Sequence, residues 1–103
     1  MYDLIPRARV KSETTPEGKI ILLKPKFKNT FLVKHLMPYL KHPFYRIHLD
    51  EIGTSTWQKI DGVRSAGVIA EEVSQELGTA VEPAFKRVGL FLHQLKKGEL
   101  IEF

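Results

Sequence analysis

The fold class turns on one stretch, Phe44-Tyr45-Arg46-Ile47-His48-Leu49-Asp50-Glu51-Ile52-Gly53-Thr54-Ser55-Thr56-Trp57, because its hydrophobic period changes in the middle. Up to Leu49, apolar and polar residues alternate, which is the period of a half-buried strand. From Asp50 the spacing becomes helical, with Ile52, Thr56, Trp57 and Ile60 on one face. Asp50 is a natural N-cap, since its short carboxylate can accept an otherwise unmet amide of the first turn, and Glu51 beside it complements the helix dipole. That accounts for the two acids without a catalytic role. Asp61-Gly62 ends the helix as a turn. Trp57, between Ile52 and Ile60, is read as core.

Downstream, two more helices follow. Ser65 caps the first, Val68, Ile69, Val73 and Leu77 face inward, and Gly78 supplies the left-handed terminating residue. Pro83 suits the first helical position of the next. Its core stripe is Ala84, Phe85, Val88, Phe91, Leu92 and Leu95, and Gly98 stops it. Leu100–Phe103 reads as a short terminal strand. Upstream, Arg9-Val10-Lys11 and Lys19–Lys24 read as a hairpin around the turn cluster Ser12–Gly18, behind a flexible arm over residues 1–8. Between that hairpin and Phe44, the spacing of Leu32, Leu36 and Leu40, with Phe31 and Met37 nearby, predicts a helix over Asn29–Leu40. Pro38 should kink it, and the inserted segment as a whole spans 29–42. The expected class is α+β: a three-stranded antiparallel sheet, an extra short helix between its second and third strands, then a three-helix bundle.

Composition narrows the function. A chain of 103 residues is sized for a single domain. With no cysteine, disulfides, thiolate nucleophiles and iron–sulfur ligation are excluded. Neither a signal peptide nor an apolar run long enough for a membrane span is visible, so a cytoplasmic chain without membrane association is expected. His35, His42, His48 and His93 lack metal-site spacing, and neither a phosphate-cradling loop nor a nucleophile elbow occurs. A non-enzymatic protein without a cofactor is the expectation. The pI near 9.4 invites a nucleic-acid reading, but charge is segregated. Residues 1–48 carry ten Lys/Arg against three acids, whereas 49–103 carry six against nine. A helix-turn-helix DNA reader needs its helical half basic, and here that half is acidic. The basic strand-rich half instead suits an acidic partner.

The run Leu49-Asp50-Glu51-Ile52-Gly53, Trp57 and Asp61-Gly62, continued by Ile69-Ala70-Glu71-Glu72-Val73, Leu77-Gly78 and Phe91-Leu92-x-x-Leu95, resembles the signature of the PqqD-like family. The resemblance covers roughly residues 45–97. It implies a winged helix-turn-helix-like scaffold acting as a peptide-recognition element in the biosynthesis of cofactors or other modified ribosomal peptides. In that role a leader or precursor peptide adds antiparallel to the third strand, against the third helix, and a radical SAM or other peptide-modifying enzyme then acts on it. The inserted Asn29–Leu40 helix departs from the compact pattern of the family, which makes synthesis of pyrroloquinoline quinone itself the less favoured pathway.

Strand addition needs an accessible sheet edge with pockets beside it. The candidate peptide-binding residues are therefore Phe44, Tyr45, Arg46, Ile47 and His48 on the third strand, and Lys86, Gly89, Leu90, His93 and Lys96 on the third helix. Arg46 is suited to leader carboxylates. Gly89 costs about 1 kcal/mol against alanine in mid-helix, which a close backbone or ligand approach would explain. Leu90 falls off the core stripe as an exposed apolar contact. Two other readings are a winged-helix DNA-binding protein and a homodimeric adaptor that pairs the third-strand edge with itself.

Overall fold

The computed structural model describes residues 3–26, 30–78 and 81–103. Its main sheet is antiparallel with strand order β2(Lys11–Thr14), β3(Ile20–Pro25), β4(Phe44–His48). A further two-stranded antiparallel sheet pairs β1(Arg7–Ala8) with β5(Ile101–Glu102). Between β3 and β4 lie α1(Thr30–His35) and a 3-10 turn at Met37–Tyr39, and after β4 come α2(Glu51–Gln58), α3(Ala66–Leu77) and α4(Val81–Lys97). The α+β class and the three-stranded sheet are as expected. The order of strands followed by helices is not complete, because β5 returns after α4. Leu100 and Ile101 are buried, and the Arg9 amide donates to the Leu100 carbonyl at 2.9 Å, so both ends of the chain close on each other.

That closure also corrects the expected arm over residues 1–8. Pro6 is buried, Arg7–Ala8 is paired, and the Leu4 carbonyl accepts from the Ala66 amide at 2.7 Å, meeting one of the unpaired donors at the start of α3. Met1 and Tyr2 lie outside the described residues. The first hairpin is shifted too. β2 runs through Ser12-Glu13-Thr14, expected to be turn, and the tight turn is confined to Thr15–Lys19. All four β2 residues are exposed, and an edge strand over no core can be wholly polar.

β4 and α2 meet as the period change predicts. The Asp50 side chain accepts from the Gly53 amide at 2.7 Å, and the Thr54 hydroxyl accepts from the Ile20 amide at 3.1 Å, pinning α2 to the sheet. Five consecutive α2 residues, Gly53–Trp57, are buried, so the middle of this short helix is enclosed while its ends, Glu51 and Gln58, are exposed. Gly53 is a close-approach glycine: a Cβ there would stand 3.2 Å from the Phe91 ring and 3.1 Å from the Asp50 carboxylate. The remaining core joins Leu22, Ile69, Val73, Val88, Leu92 and Ile101. Ser65 and Gly78 cap α3 as expected, Gly78 at φ +65. Val68, expected inward, is 43% exposed, because the inward stripe runs through Ala66, Ile69, Ala70 and Val73 instead. Pro83 is the third residue of α4, still in the first turn where no amide partner is lost.

The inserted helix is present but shorter than Asn29–Leu40. It stops at His35, and the chain tightens into 3-10 geometry around Pro38. Phe31 and Leu36, expected on an apolar stripe, are 65% and 45% exposed. Asn29 and the side chains of Leu32 and Met37 lie outside the described residues.

α2 and α3 are also tied by polar groups. Lys59, near the end of α2, donates to the Ser55 hydroxyl at 3.0 Å and pairs with Glu76 of α3, whose carboxylate also accepts from Ser55 at 2.7 Å. The Lys59 ammonium and then the Ser55 hydroxyl hold the Glu76 carboxyl below its ordinary value of 4.5. A carboxyl depressed on folding stabilises the fold above its unfolded pKa, and that contribution fades as pH falls through the lower folded value. Glu76→Gln should therefore flatten the acid limb of the stability curve below about pH 4.5 and lower stability near pH 7 by less than ~1 kcal/mol, the side chain being half exposed. Urea titrations at stepped pH check this, and an unchanged acid limb would remove Glu76 from the account.

Candidate functional site: the β4 edge and the cleft beside α4

Among the described residues, β4 is paired on one side only, by β3. β3 pairs it with Ile21 opposite His48, Leu22 opposite Ile47, Leu23 opposite Arg46 and Lys24 opposite Tyr45. The Leu49 amide donates to the Ile20 carbonyl at 3.0 Å and the Lys26 amide to the Pro43 carbonyl at 3.1 Å. In an antiparallel ladder, residues that exchange both bonds alternate with residues that exchange none. Tyr45 and Ile47, in phase with Pro43 and Leu49, therefore bond to β3. Phe44, Arg46 and His48 direct their N–H and C=O groups to the outer edge, where no described residue takes them up.

The register also sorts the side chains. Ile47 and Leu49 share the inner face with the buried Ile20 and Leu22, while Phe44, Arg46 and His48 lie on the outer face with Ile21 and Leu23. Tyr45 has inner parity yet is 55% exposed. Arg46 is not a free cation. Its guanidinium donates to Glu13 at 2.9 Å across β3, with both side chains about half exposed, and such a pair is worth ~0–1 kcal/mol. A ligand carboxylate can replace Glu13 at little cost.

At the C-terminal end of β4, a cleft of about 250 Å³ opens between the start of α2 and α4, lined by Asp50, Ile52, Arg87, Leu90, Phe91 and Gln94. It is below the usual size of a small-molecule pocket and fits one or two side chains. Leu90, 60% exposed, and the half-buried Ile52 and Phe91 make it apolar, with Arg87 and Asp50 as opposed charges on its rim.

Of the residues expected to form the site, Leu90 lines this cleft, whereas Phe44, Tyr45, Arg46, Ile47 and His48 form β4 and are not among the residues that line it. Lys86, Gly89, His93 and Lys96 lie on the other flank of α4, where the Lys96 ammonium stands 4.3 Å from the centre of the Phe103 ring. Arg87, Gln94, Ile52 and Phe91 had not been singled out for the site. Both flanks adjoin the core stripe, and periodicity alone does not say which one turns toward the start of α2. The signal within reach was Gly53, whose lack of a side chain is what admits Phe91 to the cleft floor. Gly89 has no atom within 4 Å of where its Cβ would stand, so no close backbone approach explains it. Gly89→Ala is expected to raise stability by about 0.5–1 kcal/mol in urea melts; a loss of stability would mean that the glycine meets a structural need.

Among the described residues, no three His, Cys, Asp or Glu side chains gather where one metal ion could be held, and no helix is long and apolar enough to cross a membrane. Comparison with known proteins gives one family match: coenzyme PQQ synthesis protein D (PqqD), over residues 41–101, more than half of the chain. The chain belongs to the PqqD family. No curated protein and no solved structure matches it. The family match begins at Lys41 and takes in β4, the cleft and all of α2–α4, so the site just described lies within it. β2, β3 and the inserted α1 lie before it.

Proposed function

We propose that this chain is a non-catalytic, single-domain peptide-binding module of winged-helix-like type. It captures a leader or precursor peptide as an added strand on β4 and presents it to a modifying enzyme, of the radical SAM type by family. The observation that carries the reading is the row of outward N–H and C=O groups at Phe44, Arg46 and His48, next to an apolar cleft sized for side chains. A strand laid at the usual ~4.8 Å from β4 would meet those groups. It would also turn alternate side chains toward Ile47, Leu90 and Phe91, whose pockets supply selectivity. The module's work is then effective concentration and orientation at the partner's active site, and it needs no chemistry of its own.

Amide chemical shifts and hydrogen exchange, recorded with a peptide selected for binding to the full chain, test the reading. Exchange should slow at Phe44, Arg46 and His48, with Tyr45 and Ile47 unchanged because β3 already holds them, and shifts should extend to Arg87 and Leu90. Changes that leave both β4 and the cleft untouched would count against it.

A further inference from the structure

The edge strand is not electrically uniform along its length. At its Leu49 end stand Asp50 and Glu51. Toward its Phe44 end basic residues predominate: no Asp or Glu occurs between Glu17 and Asp50, an interval that carries seven Lys/Arg. Several of these cations gather at that end of β4. Lys24 is opposite Tyr45 in the ladder, the Lys26 ammonium stands 5.5 Å from the centre of the Tyr45 ring, and Lys41 lines a second cleft with Phe44 and Arg46. Glu13, the one acid at this cleft, is engaged by Arg46. Aromatic surface accompanies the charge, since Tyr45 is 55% and Tyr39, in the 3-10 turn just before β4, is 87% exposed.

Resting on the strand-addition reading, we infer that the peptide is acidic at one end. Its carboxylates lie over Lys24, Lys26 and Lys41 at the Phe44 end of β4, and its apolar residues fill the Leu90–Phe91 cleft at the other. Charge complementarity selects this occupant. A desolvated carboxylate hydrogen-bonded by an ammonium or guanidinium is stronger than a neutral pair, and the exposed tyrosine rings add apolar contact beside the cations. The polarity also sets direction, because a reversed strand would set its acids against Asp50 and Glu51. A membrane surface fits less well, as α1 has only six residues and offers no extended amphipathic face. A nucleic acid leaves the open strand edge unused.

A phage-displayed random dodecapeptide library, selected on the full chain, tests this. Enriched peptides should carry Asp or Glu clustered at one end. Their affinity, read by fluorescence anisotropy, should fall about tenfold or more in Lys26→Glu/Lys41→Glu, and not in Arg9→Glu/Lys97→Glu, which makes the same change in net charge. Enriched peptides without an acidic bias, or equal loss in both variants, would overturn the inference while leaving strand addition in place. Peptides that bind Arg46→Pro as well as the wild type, or no enrichment at all, would overturn strand addition itself. Tighter binding to phosphatidylserine vesicles or to a duplex DNA oligonucleotide than to any selected peptide would reassign the basic surface.

Discussion

Trp57→Ala is expected to remove about 3–5 kcal/mol of stability, the range for truncating a large buried aromatic. Small domains hold only ~5–15 kcal/mol in total, so the variant should unfold at a small fraction of the wild-type denaturant midpoint or fail to fold. The structural reason is that Trp57 lies in the buried core with Ile20, Leu22, Ile69, Val88 and Leu92, at the end of a run of five buried helical residues. Nothing nearby can collapse into the void without moving the sheet or α4. Trp57→Phe keeps most of the apolar area and should cost far less. Circular dichroism in urea reads the change, since the tryptophan signal is lost with the residue. A destabilisation below about 1 kcal/mol together with lost peptide binding would instead make Trp57 a ligand-stacking residue and displace the core assignment.

Trp57 also shows why parts of this fold were legible. The change of period at Leu49-Asp50 is local, and local rules govern it: strand alternation, an N-cap, a first-turn acid. The Ser65 and Gly78 caps and the α4 stripe Ala84-Val88-Leu92-Leu95 were legible for the same reason. What was not legible depends on partners distant in sequence. Leu100-Ile101 reads as a strand on its own, but nothing in it names Arg7–Ala8 as its mate, so the opening residues seemed unattached. Ser12-Glu13-Thr14 looks like turn because its residues are polar, yet pairing with Ile20–Leu22 makes it strand. In the site, the β4 edge was visible in the alternation of Phe44–Leu49. The flank of α4 that lines the cleft with Asp50 and Ile52 was not, because the choice between Lys86-His93 and Arg87-Gln94 is a matter of tertiary rotation rather than of pattern. Gly89 drew the reading toward the Lys86–His93 flank: an unusual residue in mid-helix looked like a close approach and meets open space.

The backbone accounting at β4 leads to the sharpest separation between fold and function. Arg46→Pro should leave the fold standing and abolish peptide capture. The Arg46 N–H points away from β3, so proline there removes no ladder bond, and edge strands tolerate proline at such positions. The residue before proline must be extended, and Tyr45 already is, as part of β4. The exposed pair with Glu13 is lost, at ~0–1 kcal/mol. For the incoming strand the consequence is severe. Its central acceptor loses its donor, and the pyrrolidine ring stands in the path of its backbone. An acceptor left unmet at a desolvated edge costs about 1–3 kcal/mol, which is roughly five- to 150-fold in affinity before any steric term. Arg46→Ala, which removes the same side chain and keeps the N–H, should retain binding within a few-fold apart from lost charge. Ile47→Pro, one residue on, deletes a donor that bonds to β3 and should disrupt the sheet itself. The ordering across the three variants, read by thermal melts and by anisotropy with a peptide that binds the wild type, assigns recognition to the backbone edge. Equal loss in Arg46→Ala and Arg46→Pro would transfer it to the guanidinium, and full binding by a folded Arg46→Pro would place the peptide somewhere other than β4.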